Sequence, residues 1–284
     1  MANIKIVTDS TAYLTEEQIN KYDITVVPLA VNLGNESFKE GEKYTNKEFF
    51  EKLSKHKDLF PTTSQPAAGE FKEAYERLNK EADSIITITI SEGISGTLSS
   101  AKTGADLAGG VDVTVIDSLS TSAGLEQMVI QAASLAQAGE SKEEIIKVVE
   151  HIRDNLTTLF MVDTFEYLKR GGRIGGASAM LGTMLQIKPI LFIHGKIDVF
   201  QKVRTRKKAI GRMEQELNKF LQENGLEKTR VSVLTVDCRE AGEEFFSDIK
   251  QKYPGLNCSQ AEIGPVVGSH VGPGTIGLAF CSLP

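Results

Sequence analysis

Short apolar runs, rich in β-branched residues, alternate along the chain with longer segments that carry helix-start signals. The runs are IKIVT (4–8), ITVVPLAV (24–31), SIITITI (84–90), VDVTVI (111–116), TLFMV (158–162) and RVSVLTV (230–236). Their length and composition predict buried strands. Between them, Thr15 with Gln18 and Ser141 with Glu144 have the spacing of capping boxes, and Pro66 stands where a first helical turn accepts proline. The pattern predicts an α/β fold.

The second half of the chain has a different pattern of predicted elements. The segment PILFIHGKIDVFQKVRT contains two strand-like runs that meet at His194 and Gly195, which predicts an antiparallel hairpin. At 284 residues the chain exceeds the usual size of one core, so two domains are expected. We place them at residues 1–155 and 156–284. The fold prediction is therefore two α/β domains, the second with antiparallel strands.

Composition and charge exclude several classes of function. A formal net charge of −6 argues against nucleic-acid binding, which needs a broad basic surface. The three cysteines, Cys238, Cys258 and Cys281, have no CxxC spacing, so they indicate neither a disulfide framework nor a zinc site. No apolar run reaches the length of a membrane span. We expect a cytoplasmic protein with no metal and no cofactor.

Polar side chains cluster where the predicted strands end. Loops VTDST, ISEGISGT and VIDSLST each follow a strand, and PTTSQPAAG (61–69) places three hydroxyls and an amide between two prolines. The prolines predict that this last stretch is neither helix nor strand. Each loop alone is explained by helix capping, but four such loops together favour a site. Hydroxyls and free amides at helix starts suit a carboxylate or phosphate.

Catalytic motifs match poorly. Gly272 to Gly277 spells GxGxxG, but it lies near the end of the chain and precedes a strand-like run, so it is not a dinucleotide fingerprint. GISGT resembles a nucleophile elbow, with Thr97 where the motif requires glycine. A small acyl hydrolase that uses Ser95 and His270 remains an alternative. A sensor of a small anionic metabolite is another, and it predicts a polar pocket.

Two further segments stand out. In the stretch 166–191, four apolar residues at helical spacing predict a buried face, which core packing explains and which also suits a lipid-lined tunnel: Met180, Leu181, Met184 and Leu185. The segment KVRTRKKA (202–209) is basic in an acidic protein. Cations at a helix start oppose the helix dipole, which favours a docking role for residues 202–208.

Several of these motifs together carry a family resemblance. TDST, PTTSQP, SEGISGT, LKRGGRI, IKPIL, KVRT and GPVVGSHVGPGTIG occur in this order across nearly the whole chain. The sequence resembles the DegV family of bacterial fatty-acid-binding proteins, which includes the fatty-acid-binding subunits of fatty acid kinase. The resemblance implies a non-enzymatic carrier that holds one long-chain fatty acid between its two α/β domains. It also implies that a separate ATP-dependent kinase converts the bound lipid to acyl phosphate for phospholipid synthesis, with transient contact to the membrane surface.

The resemblance also implies roles for individual residues. Thr62 and Ser95 would bind the carboxylate directly, and the remaining members of that site would be Thr63, Ser64, Gly96 and His270. Arg173 and Arg204 would support this network or dock the kinase. Met180, Leu181, Met184 and Leu185 would line the acyl tunnel. No residue has a catalytic role in this interpretation.

Overall fold

The computed structural model describes residues 3–56, 59–180 and 187–284. Its strands are β1 (Ile4–Asp9), β2 (Ile24–Val27), β3 (Ala30–Leu33), β4 (Glu36–Lys39), β5 (Thr62–Ser64), β6 (Ser84–Thr89), β7 (Val113–Asp117), β8 (Thr157–Met161), β9 (Lys188–His194), β10 (Lys196–Val203), β11 (Thr229–Thr235), β12 (Asn257–Glu262) and β13 (Ile276–Ser282). Its α-helices are α1 (Glu16–Tyr22), α2 (Asn46–Lys55), α3 (Ala68–Leu78), α4 (Thr97–Ala108), α5 (Ala123–Ala138), α6 (Lys142–Asp154), α7 (Glu166–Arg170), α8 (Arg206–Asn224), α9 (Arg239–Lys252) and α10 (Pro265–Val271).

A parallel sheet with the order β2-β1-β6-β7 forms the centre of the first half. Every residue of β6 is buried, as the apolar run predicts. One face of the sheet packs against α5 and α6, and the other face packs against α3 and α4. Because the strands are parallel, their carboxyl ends and the loops that follow lie along one edge of the sheet.

A small antiparallel sheet, β4-β3-β5, lies beside the parallel one. It corrects two sequence predictions. The run 24–31 is two strands in different sheets, separated at Pro28, and residues 62–64 form a strand although the sequence predicted irregular backbone. Pro61 and Pro66 lie outside the short ladder, so neither removes a hydrogen bond from it. Pro66 also precedes α3, which begins at Ala68 with Ala67 as its N-cap.

The second half forms a mixed sheet with the order β10-β9-β8-β13-β11-β12. Strands β9 and β10 form the antiparallel hairpin that the sequence predicted at His194 and Gly195. Side chains alternate between the two faces: Leu159 and Met161 of β8 pack toward α8 and α9, whereas Phe160 packs toward the first half of the chain. This inner face is where the two halves meet.

The observed architecture confirms the predicted α/β fold with antiparallel strands in the second domain. The boundary after residue 155 lies between α6 and β8, and its position stays a prediction. Within the ranges described above, no helix is long and apolar enough to cross a membrane.

Candidate functional site

A cavity of about 330 Å³ lies between the inner face of the large sheet and the first half of the chain. Ligand pockets usually have volumes of about 300–1,000 Å³. Apolar side chains from both halves supply most of its wall, among them Leu29, Ile90, Phe160, Ile193, Leu234 and Val266. All of these except Ile90 belong to one continuous buried cluster. The mostly apolar wall argues against the sensor alternative, which predicted a polar pocket.

The register of β5 decides which hydroxyls of the PTTSQP segment face the cavity. Thr63 pairs with Val31, which is fully buried in the cluster around the cavity, and Thr62 pairs with Asn32. Because opposite residues of an antiparallel pair share a face, Thr63 points inward and Thr62 points outward. Asn32 Nδ2 donates to the outward hydroxyls, at 3.5 Å from Thr62 Oγ1 and 3.3 Å from Ser64 Oγ. Ser64 reaches the cavity mouth, and Thr62 is exposed outside it.

His270 joins Thr63 at one end of the cavity, which we call the head end. The Thr63 hydroxyl oxygen lies 2.7 Å from His270 Nε2. The histidine is in the last turn of α10, and residues of the first domain hold the start of that helix. Val266 N–H donates to Glu40 Oε1 at 2.7 Å, and Val267 N–H donates to the Tyr13 hydroxyl at 3.0 Å. The contact between the two halves therefore positions the imidazole.

The His270 imidazole is neutral near pH 7. Burial, with the charge of Arg173 as a second cause, lowers its pKa to about 4. Its Nδ1 atom is buried without a hydrogen-bond partner in the described part of the chain. Since an orphaned N–H is costlier than an unpaired lone pair, we assign the proton to Nε2, which then donates to Thr63. The Thr63 hydroxyl hydrogen is left free to point into the cavity.

Ser95 stands at the start of α4, on the other side of the head end. Its hydroxyl lies 2.8 Å from Thr97 Oγ1 and accepts from the Thr97 N–H at 3.4 Å, and the α4 N-cap, Gly96, has no side chain that could cap the helix. A Cβ on Gly96 would overlap the Gln65 side-chain amide, so glycine is required for this close packing. The helix dipole favours negative charge at this position.

Arg173 connects the two halves at the same end. Its Nε donates to the Ile94 carbonyl at 2.9 Å, and its Nη1 donates to the Gly171 carbonyl at 2.6 Å. Among the described residues that line the cavity, Arg173 is the one that carries a charge. No aspartate or glutamate among them offsets it. The head end is thus electrostatically suited to an anion.

The sequence matches a known protein family over nearly its whole length. A family model described as "Uncharacterised protein, DegV family" matches residues 3–283. The chain belongs to the DegV family. The DegV domain-containing protein of Listeria innocua is 39% identical over 279 residues, covering 98% of each chain. Protein DegV of Bacillus subtilis is 38% identical over 281 residues, covering 98% of this chain and 99% of that protein.

Three solved structures superpose on nearly the whole chain. DegV from Bacillus subtilis, described as a fatty acid binding protein, has a TM-score of 0.93 at 37% identity and covers 99% of this chain and 100% of that one. A DegV family protein from Thermus thermophilus, described for fatty acid binding, has a TM-score of 0.92 at 35% identity and covers 100% of both chains. A stearic acid-binding protein from Eubacterium ventriosum has a TM-score of 0.90 at 28% identity and covers 98% of both.

Other sequence-predicted residues of this DegV chain lie away from the head end. Arg204 is exposed, between β10 and α8. Met180 is buried in the cluster that surrounds the cavity, but the cavity wall is built by other residues. Leu181, Met184 and Leu185 lie outside the described residues. Sequence reasoning missed the polar wall residues Thr121, Ser122 and Thr158.

The hydrolase alternative loses its geometric basis. Ser95 bonds to Thr97, and His270 Nε2 bonds to Thr63, so the hydrolase's nucleophile and base are not hydrogen-bonded to each other. No carboxylate of the described residues orients Nδ1. A histidine with a pKa of about 4 is also a weak general base near pH 7. The structure therefore offers no Ser-His-Asp arrangement here.

Gly171→Ala is expected to raise the pKa of His270 from about 4 toward its ordinary value of 6.5. A Cβ at this position would overlap Nδ1, so the ring has to turn out of its buried position. NMR titration of the assigned imidazole measures the change. Gly69→Ala is the control, because its Cβ meets no neighbouring atom. A His270 pKa that stays near 4 in Gly171→Ala would show that the glycine does not hold the ring.

Proposed function

We propose that the cavity binds one long-chain fatty acid with its carboxylate at the head end. The observation that carries this proposal is an apolar cavity with a hydroxyl–imidazole pair, Thr63 and His270, at one end. The fatty acid binding described for three structurally similar proteins supports the same class of ligand. The protein acts as a carrier, and the lipid is its cargo.

Tail and head contribute differently to binding. Burial of a methylene is worth about 0.8 kcal/mol, so roughly 15 methylenes offer on the order of 12 kcal/mol before the entropic cost of binding. Each hydrogen bond to the charged carboxylate adds about 1.5 to 3 kcal/mol. The tail therefore supplies most of the affinity, and the head fixes the orientation.

Thr63 and Ser95 are the proposed carboxylate donors, since both hydroxyls line the cavity. The Nε2–H of His270 occupies the Thr63 oxygen, so the Thr63 hydrogen points to the ligand. Three further residues support the bound carboxylate. Ser64 lies at the cavity mouth, Gly96 at the start of α4, and Arg173 at the contact between the two domains. Thr62, the first choice from sequence, lies on the outer face of β5 and has no place in this proposal.

We further propose that the bound fatty acid is presented to a separate ATP-dependent fatty acid kinase, which forms the acyl phosphate. The head end supports this because Ser64 is exposed and Ser95 is only partly buried, so a partner can approach the carboxylate. Neutral hydroxyl donors leave the carboxylate oxygens more available than a bidentate arginine clamp does. Cytoplasmic location and transient contact with a membrane surface stay predictions.

Mass spectrometry of a solvent extract tests the carrier function. Protein purified from a recombinant host is expected to release close to one equivalent of a long-chain fatty acid. The acyl composition then reports which chains the cavity prefers. A protein that releases no fatty acid, and takes up neither added palmitate nor added stearate, would refute the proposal.

Reversing the charge of Arg204 and Lys207 is expected to raise the apparent KM of the kinase for the carrier several-fold. Both residues are exposed next to the start of α8, whose first turn contains no acidic residue, so this basic segment can meet an acidic partner surface. Steady-state assays with the kinase and ATP give the value. Lys219→Glu with Lys228→Glu makes the same change in net charge elsewhere, and equal KM values for both double variants would exclude specific docking.

A further inference from the structure

Buried polar atoms without partners concentrate on the cavity wall. Among the described residues, six buried side-chain nitrogen or oxygen atoms have no hydrogen-bond partner. Four of the six belong to residues that line the cavity, namely Thr121, Ser122, Thr158 and His270. Because proteins pair nearly all buried polar groups, this concentration requires an explanation. His270 belongs to the head end, and three hydroxyls remain.

These three hydroxyls are deeply buried. Thr121 is 8% exposed, Ser122 is 2% exposed and Thr158 is 4% exposed. Neighbouring serines of the same loop behave differently, because Ser118 donates to the Ser120 carbonyl at 3.0 Å and Ser120 donates to the Thr121 carbonyl at 3.4 Å. The loop can therefore satisfy its own hydroxyls. Those left unpaired are the ones that line the cavity.

Thr158 lies at a distance from the Thr63–His270 pair of the head end. Thr158 pairs across the sheet with Ala279 of β13, four residues after Thr275, which immediately precedes that strand. Thr275 donates to the carbonyl of Val271, the neighbour of His270, so it marks the head end. Four residues of strand correspond to about 13 Å. A group bound near Thr158 is thus well separated from the carboxylate.

The other two hydroxyls reach the same region from the first domain. Thr121 and Ser122 immediately precede α5, and a Cβ on Gly124 of this helix would lie 2.6 Å from Cδ2 of Leu156, two residues before Thr158. Phe160 is two residues from Thr158 on the same face of β8. The loop and the strand therefore converge on one part of the wall, which we call the hydroxyl subsite.

We propose that the hydroxyl subsite, formed by Thr121, Ser122 and Thr158, binds a hydroxyl group carried in the middle of the acyl chain. The inference rests on the proposed function and specifies its ligand as a hydroxylated long-chain fatty acid. A hydroxyl both donates and accepts hydrogen bonds, so it complements unpaired hydroxyls, whereas a methylene leaves them unpaired. A hydroxyl close to the carboxylate does not reach the subsite.

Binding constants for four fatty acids test the inference: stearate, 3-hydroxystearate, 10-hydroxystearate and 12-hydroxystearate. At least one of the two mid-chain isomers is expected to bind about five-fold tighter than stearate for each hydrogen bond gained, and 3-hydroxystearate is not. Displacement of a fluorescent fatty acid gives all four values. If stearate binds at least as tightly as both mid-chain isomers, the subsite is wrong and the carrier function stands. If none of the four binds, the carrier function itself is refuted.

Substitutions test whether these side chains cause a preference for the hydroxylated fatty acid. Thr158→Val and Ser122→Ala are each expected to remove the preference for the hydroxylated chain and to strengthen stearate binding, because an unpaired hydroxyl is lost in each. Thr89→Val is the matched control, since Thr89 Oγ1 is also buried and unpartnered but does not line the cavity. Two separate variants keep the test valid if one of them fails to fold. A preference that persists in whichever of them folds would overturn the proposal.

Discussion

The double variant Thr63→Val with Ser95→Ala is expected to bind fatty acid about 10²- to 10⁴-fold more weakly than the unchanged protein. Each hydroxyl is proposed to donate one hydrogen bond to the carboxylate, and such bonds to a charged group contribute about 1.5 to 3 kcal/mol each. Valine keeps the shape of threonine, so the loss reports the hydroxyl. Displacement titration with a fluorescent fatty acid measures it.

Thr62→Val is the matched control for this prediction. It makes the same substitution one residue earlier on β5, where the side chain faces away from the cavity. Its affinity is expected to stay within about two-fold of the unchanged protein, as for a surface substitution. An equal loss in Thr62→Val, or full affinity in the double variant, would show that the inward face of β5 has been misassigned.

The second large effect is a dependence of stability on pH that originates at Glu40. Its carboxyl group is buried, where it accepts from Val266 N–H at 2.7 Å and from the Ser10 hydroxyl at 2.6 Å. Burial is the main cause that raises the pKa of Glu40 from 4.5 to about 7. Folding therefore favours the protonated form. This stabilisation is complete below pH 4.5 and is lost as the pH rises through about 7.

Glu40→Gln is expected to remove this part of the pH dependence, because glutamine resembles the protonated carboxyl group. A pKa difference of about 2.5 units corresponds to roughly 3 kcal/mol, so the free energy of unfolding of the unchanged protein should fall by roughly that amount relative to Glu40→Gln as the pH rises across this range. Urea unfolding at a series of pH values gives both curves. Parallel curves would contradict a buried, protonated Glu40.

The same comparison of unfolding curves separates the contribution of Glu40 to stability from those of the other groups whose pKa values are shifted. Burial also raises the pKa of Asp9, to about 6, so its contribution to stability changes in the same direction. His270 acts oppositely, because its lowered pKa gives stability that is present above pH 6.5 and lost as the pH falls through about 4. Both groups are present in the two proteins, so their contributions largely cancel in the difference.

The sequence predicted the elements of the fold better than their register. Apolar runs located β1, β6 and β11 because buried strands need consecutive apolar residues, and the hairpin at Gly195 followed from its turn residue. The choice between Thr62 and Thr63 depends on which residue lies opposite Val31. A shift of one residue exchanges the two faces of a strand, and no local pattern in three residues fixes that shift.

The sequence also did not predict which polar side chains form hydrogen bonds with each other and which face the cavity. Loop VIDSLSTS contains several hydroxyls, and nothing in their order separates those that bond within the loop from Thr121 and Ser122, which face the cavity. That distinction arises only when β8 and the start of α5 come together. The period-two alternation of β8 does place Thr158 on the face of Phe160, so this wall residue was accessible to sequence reasoning.

A crystal structure of the protein with bound stearate tests the central claim most directly. The account predicts a carboxylate whose oxygens lie about 3 Å from Thr63 Oγ1 and from Ser95 Oγ, with the tail running past Phe160 between the two domains. A carboxylate bound at the Thr158 end, or a fatty acid bound outside the cavity, would contradict it.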